Sequence, residues 1–170
     1  MGWNGNIAKV TDGRTTLYLT SLHVGSLIVE SPLWETLYLP EFSLRGSTVL
    51  DIGAGCGETA HFFFKHSASK VVCVESDKEA CALLRKNASI NGWNVEIFGE
   101  PFRPNHLSIS HDFMKMDIEG GETELLSESV RKVKPCRMEL HEKFIGHLSY
   151  VQIIKKFRLK HIGDMVWGAD

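Results

Sequence analysis

The sequence predicts an α/β protein: a doubly wound, mostly parallel sheet of about six strands with helices on both faces, preceded by a short β-rich lead-in. Three observations predict it. From residue 46 onward, short apolar runs alternate with segments of helical periodicity, as in βα units whose strands are covered on both faces. The first run leads straight into a glycine turn, Gly53-Ala54-Gly55-Cys56-Gly57, and the second stops at a carboxylate, Glu75.

In chain order, Ile7 to Val10, Thr15 to Thr20 and Ser26 to Glu30 read as short strands around an Asp12-Gly13 turn, followed by the segment Leu33 to Tyr38. This lead-in, residues 1–45, either covers a sheet edge or one end of the core, or forms a wall of a substrate pocket. The core, residues 46–170, completes one domain spanning 1–170. Its strands are Thr48 to Ile52, Val71 to Val74, Val95 to Phe98, Phe113 to Ile118 and Arg137 to Leu140. Between them lie helical segments: Glu58 to His66, Lys78 to Asn91 and Glu122 to Lys132. In the middle one, Ala80, Leu83, Leu84 and Ala88 recur at helical spacing, and Asn91-Gly92 ends it. The tail holds a helix from Leu148 to Lys156 and a last strand around Phe157 to Trp167.

Composition excludes several functional classes. With 19 basic and 21 acidic residues, net charge -2, no overall basic field draws in nucleic acid or a membrane surface, so nucleic acid is disfavoured as a partner and no membrane is expected. No apolar run has spanning length and the amino terminus lacks a signal-peptide pattern, which places the protein in the cytoplasm. Cys56, Cys73, Cys81 and Cys136 form no CxxC pair, which argues against a zinc site or disulfide scaffold and for ordinary thiols.

Chemistry is concentrated in two places. In Val49-Leu50-Asp51-Ile52-Gly53-Ala54-Gly55-Cys56-Gly57-Glu58, glycines let the chain turn sharply and let a ligand approach the backbone, while the next helix aims its first amides at that ligand. Glu75, at the tip of the neighbouring strand, can accept hydrogen bonds from two ribose hydroxyls. The third glycine comes one position too early for the dinucleotide GxGxxG fingerprint, and no GxxxxGK[ST] phosphate loop is present. The line Asp51-x-Gly53-x-Gly55-x-Gly57 resembles the first motif of the class I S-adenosylmethionine-dependent methyltransferases, a Rossmann-like family. That resemblance implies S-adenosylmethionine as cofactor, its methionine part cradled by Gly53, Gly55 and Gly57, with Asp51 supporting the loop and Glu75 holding the ribose. Carboxylates suit a ligand that carries an ammonium and a sulfonium and no phosphate.

The second place is Asp112-Phe113-Met114-Lys115-Met116-Asp117-Ile118-Glu119-Gly120-Gly121-Glu122, a buried strand leaving into a glycine turn crowded with carboxylates. Asp117 and Glu119 stand where an open α/β sheet binds its ligands. Strand alternation turns Lys115 with Phe113 and Asp117, as a buried, paired lysine. The segment resembles the FkbM-like branch of methyltransferases, with its K-x-D-x-E-G-x-E run, and Met138-Glu139-Leu140-His141-Glu142 is similar to that branch's next strand, which ends in Glu-x-His. The likeness covers roughly residues 47–142. It implies methyl transfer to a hydroxyl oxygen of a small molecule or sugar. His141 is then the candidate base, with Asp117 or Glu119 as orienting partner or rival base. Asp117, Glu119 and His141 could also supply part of a divalent-ion shell, but their convergence is not legible in sequence and no metal is assigned.

Two alternatives stay open: an RNA methyltransferase, and a non-catalytic cofactor-binding or interaction module that has kept the sheet. Only 29 residues follow His141, which reads as too few for the helix and antiparallel hairpin that usually complete this fold. Substrate-recognition elements would then come from the lead-in or from a second subunit, as in a homodimer.

Overall fold

The computed structural model describes residues 1–133, 135–163 and 166–169. The lead-in forms a three-stranded antiparallel sheet of β1 (Gly2–Asn4), β2 (Ile7–Thr11) and β3 (Thr16–Thr20). Asp12 Oδ1 closes the β2–β3 turn by accepting the Thr15 amide at 2.8 Å. Helix α1 (Ser21–Val29), a 3₁₀ turn (Ser31–Leu33) and α2 (Trp34–Tyr38) follow.

The main body comprises β4 (Thr48–Ile52), α3 (Glu58–Lys65), β5 (Lys70–Val74), α4 (Lys78–Asn91), β6 (Val95–Phe98), β7 (Phe113–Met116), β8 (Cys136–Glu139), α5 (Glu142–Phe157), β9 (Lys160–His161) and β10 (Val166–Ala169). These strands form a sheet in the order β6-β5-β4-β7-β8-β10-β9, parallel from β6 to β8, with β10 antiparallel to β8 and β9. The order reverses between β4 and β7, so the carboxyl ends of those two strands flank the crevice where open α/β sheets bind ligands.

Alternation along the strands builds two apolar layers. Leu50, Ile52, Val72, Met114 and Met138 pack on one face with Ile153 and Phe157 of α5. Val49, Val71 and Phe113 pack on the other with Phe63 of α3, Leu84 of α4 and Trp34 and Tyr38 of α2. Each fully buried Leu or Phe contributes about 1.5–3 kcal/mol.

Helix caps follow the sequence. Asp77 caps α4 through the Ala80 amide at 2.7 Å, and Gly92 ends it at φ 66°. On α4, Asn87 and Asn91 present carboxamides to the open edge of β3. Asn87 accepts the Tyr18 amide at 2.8 Å and donates to the Tyr18 and Cys56 carbonyls, and Asn91 does the same for the amide and carbonyl of Thr16. The lead-in is thereby clamped beside the glycine turn.

Several sequence expectations need correction. Ser26 to Glu30 is not a strand but lies in and just after α1, because Thr20 caps a helix that packs Val24 and Leu27 inward. The expected helix Glu122 to Lys132 reduces to a 3₁₀ segment, Gly121–Leu126, and residues 127–133 are irregular. The strand Phe113 to Ile118 ends at Met116. The sheet has seven strands rather than six among the described residues. The tail does accommodate a helix and an antiparallel hairpin: the expected helix Leu148 to Lys156 lies within α5, whose first turn from Glu142 is set off by a kink at Gly146, φ 76°, and the expected strand 157–167 gives way to β9 and β10. Positions 164 and 165 of that strand lie outside the described residues. All four cysteines are buried, and none forms a disulfide among the described residues.

Candidate active site

The glycine turn leaves β4 beneath the exit of β7. Gly53 has φ 77°, and a Cβ there would collide with the backbone carbonyl of Asp117, so only glycine lets the two strand ends meet this closely. Gly55 has φ 54°, and a Cβ there would stand 2.7 Å from the imidazole of His23 on α1. Glu75 braces the turn, one oxygen accepting the Gly55 amide at 2.8 Å and the other the Asp77 amide at 2.7 Å. Asp51 is fully buried, accepting the Thr59 hydroxyl at 2.6 Å, while its Oδ1 has no hydrogen-bond partner and faces Lys115 Nζ at 3.5 Å.

Register explains that pairing, because Asp51 and Lys115 are Cα partners on β4 and β7. Lys115 donates to the Gly53 carbonyl at 2.9 Å and lies 4.0 Å from Asp117 Oδ2. Burial works against its charge, but Asp51, Asp117 and Glu139 outweigh it and hold its pKa above the usual lysine value.

Past β7 and β8 a second set converges. His141 Nδ1 lies 2.7 Å from Oε1 of the buried Glu122, whose other oxygen accepts the Gly120 amide at 2.5 Å. Its Nε2 points at Asp117 Oδ1, 3.7 Å away, and Glu139 Oε2, 3.9 Å away. The hydrogen bond to Glu122 raises the His141 pKa against the opposing effect of burial. Burial, then Asp117, pushes Glu139 upward, and its Oε1 accepts a hydrogen bond from the Tyr38 hydroxyl. One donor atom each from Asp117, Glu139 and His141 lies within 4.8 Å of the others. The sequence candidates Asp117 and His141 thus come together with Glu139, which sequence reasoning had passed over. Glu119 instead occupies the turn at φ 34°, where the strand alternation has already ended.

Two clefts meet here. One of about 400 Å³ is bounded by Gly53, Glu75, Glu100, Phe102 and Asp117, and the other, about 220 Å³, by His23, Tyr38, Gly55, Lys115 and Asp117. Gly53, Glu75, Asp117 and Glu119 line both. Of the two roles open to the lead-in, the structure shows it as a wall of the second cleft, through Leu22, His23 and Ser26 of α1. A larger cleft of about 480 Å³, between the lead-in and α3, shares only Trp34 and Glu58 with this site and contains none of the sequence-predicted residues.

Residues 33–114 match the family model of the methyltransferase small domain. Across solved structures, the chain is similar to M. jannaschii TYW2 in complex with AdoMet, at 14% identity over 99% of this chain and 85% of that one, with a TM-score of 0.58. TYW2 of P. horikoshii in complex with MeSAdo aligns at 13% identity over 97% and 69%, TM-score 0.57. The fold is that of the class I S-adenosylmethionine-dependent methyltransferases. Monomeric WbdD aligns at 18% identity over 73% of this chain and 36% of its own, TM-score 0.54. The chain thus spans about a third of WbdD, and 54% of a Pyrococcus horikoshii chain matched at 21% identity with a TM-score of 0.45. No curated protein matches the chain. The matched family model is that of a methyltransferase domain, and the two neighbours solved with AdoMet and MeSAdo share this chain's fold. None of the helices among the described residues is long and apolar enough to cross a membrane.

The residues of this site fit S-adenosylmethionine. A carboxylate offers about four acceptor sites, so Glu75 keeps two for ribose hydroxyls after serving Gly55 and Asp77. The orphaned Asp51 Oδ1 and the carboxylates Asp117 and Glu139 supply negative charge to a cationic ligand. Glu139, Glu122, Tyr38 and His23 were the residues sequence reasoning missed. Glu122 and Glu139 carried a signal, since both stand inside the two motif runs that end the strands here.

Proposed function

We propose that this protein is a single-domain, cytoplasmic methyltransferase that transfers a methyl group from S-adenosylmethionine to a hydroxyl oxygen of a small molecule or sugar. The observation that carries the reading is the convergence of Asp117, Glu139 and His141 beside the glycine turn, 3.7–3.9 Å across the imidazole nitrogen. S-adenosylmethionine, when bound, supplies a methyl group on a positively charged sulfur. Gly53, Gly55 and Gly57 form the cradle, Asp51 steadies it through Thr59, and Glu75 binds the ribose. The acceptor oxygen sits in the 220 Å³ cleft, where Tyr38 and α1 exclude water. Its proton leaves at the Asp117–Glu139–His141 trio, with the imidazole held in place by Glu122. Glu119, on the rim of both clefts, contacts the acceptor.

The reading is tested by calorimetric titration with S-adenosylmethionine, its demethylated product and NAD, followed by a hydroxyl-acceptor panel and a bulk tRNA control. Saturable micromolar binding of the first two alone, with methyl incorporation into a hydroxyl compound, is the expected result. Incorporation into tRNA only would move the acceptor class to nucleic acid, and no binding by folded protein would end the enzyme reading.

A further inference from the structure

We infer that Asp117, Glu139 and His141 form a binding site for a divalent first-row transition cation such as Mn²⁺ or Zn²⁺. Each contributes one donor atom to a common point at the carboxyl ends of β7 and β8. Ligands about 2.1 Å from a metal stand roughly 3.0–3.5 Å apart in octahedral or tetrahedral shells. The 3.7 and 3.9 Å separations from His141 exceed that range by a few tenths of an ångström, and all three donor atoms lie within 4.8 Å of one another.

Two further observations point to a ligand at that spot. His141 is only 7% exposed, and its Nε2 points between two carboxylates while lying beyond hydrogen-bond reach of both, so the nitrogen and the two oxygens face a common point. Each donor side chain is also held from behind. Glu122 takes the far nitrogen of His141, Tyr38 takes the far oxygen of Glu139, and Lys115 stands near the far oxygen of Asp117. Outer partners of this kind orient metal ligands, and a carboxylate behind a histidine makes it a better donor.

Charge agrees with the geometry. Asp51, Asp117 and Glu139 gather around the ammonium of Lys115, and Glu122 stands behind His141, an excess of carboxylates that a dication offsets. A mixed imidazole and carboxylate set suits manganese, iron or zinc better than calcium. With three protein ligands the cation keeps positions open toward the cleft, as catalytic sites do.

The use of the cation in methyl transfer rests on the function proposed above; its binding does not. There, with the trio taken up as ligands, the cation rather than the imidazole acidifies the acceptor hydroxyl, its O–H bond breaks and the proton passes to solvent water. The oxygen lone pair then forms the O–CH₃ bond as the C–S pair returns to sulfur.

The test is a titration of full-length, chelator-dialysed protein with MnCl₂, read by the loss of the free Mn²⁺ paramagnetic resonance signal and repeated by calorimetry with ZnCl₂. One site is expected in the wild type, weakened at least tenfold in Asp117→Asn, Glu139→Gln and His141→Gln and unaltered in the exposed control Glu142→Gln. Thermal melts and S-adenosylmethionine affinity confirm that each variant is folded. No saturable site for either ion, or equal affinity in all variants, overturns the inference. Full methyl transfer in the presence of chelator overturns the cation's catalytic use while leaving the proposed function standing. A trio-dependent metal site with no transfer to any hydroxyl acceptor upholds the inference and counts against the function.

Discussion

Glu75 at the tip of β5 accepts the Gly55 amide hydrogen at 2.8 Å, so the carboxylate ending one strand also fixes the turn that leaves its neighbour. Cofactor recognition and loop geometry are therefore coupled through one side chain. Glu75→Ala should weaken S-adenosylmethionine binding by about 1.5–3 kcal/mol, measured by calorimetry, through loss of charge-assisted hydrogen bonds to the ribose and of the loop brace. Unchanged affinity would remove Glu75 from the site.

The two glycines of the turn should respond differently to substitution. Gly53→Ala places a Cβ against the Asp117 backbone at positive φ and should cost at least about 2 kcal/mol in stability, read from denaturant unfolding. Gly55→Val meets side chains instead, His23 at 2.7 Å and Glu58 at 2.8 Å, and should abolish cofactor binding with the sheet still folded by circular dichroism. Tight binding by Gly55→Val would show that the turn is not a cradle.

Glu58 gives the protein a pH signature. Burial pushes its carboxyl up to about 8, and Oε2 has no hydrogen-bond partner. An unfolded glutamate ionises near the ordinary value of about 4.3, so between the two values the folded state holds the extra proton and stability falls as pH rises. The contribution is fully present below the unfolded pKa and is lost on passing through about 8. Glu58→Gln should flatten this slope and gain about 1–3 kcal/mol near pH 8, seen in melting temperatures across pH 4–9. Parallel profiles for the two proteins would contradict the assignment.

His141→Ala should separate chemistry from binding. Turnover is expected to fall about 10²–10⁴-fold, while S-adenosylmethionine affinity stays within about twofold. Equal losses in both would make His141 a structural residue.

Local patterns carried most of the sheet. Thr48–Ile52, Lys78–Asn91 and Val95–Phe98 are legible to the residue because apolar periodicity, an aspartate cap and a terminal glycine all agree there. Leu27-Ile28-Val29 looks like a strand by β-branching, but the Thr20 cap and packing beside β3 override that preference. Glu119 was singled out for its place at the exit of this strand, and the chain turns there through Glu119 and Gly120 at positive φ. Glu139 stood in the Glu-x-His run, but its pairing with Tyr38, 101 positions earlier, was hidden. Such a long-range pairing leaves no local trace.

The strand at the far edge of the sheet, β9, is only two residues long, Lys160 and His161, and both are exposed. An incoming chain would find few free amides there and would have to desolvate a lysine to reach them. The hairpin that completes the sheet therefore also blunts it against templated growth of an added strand.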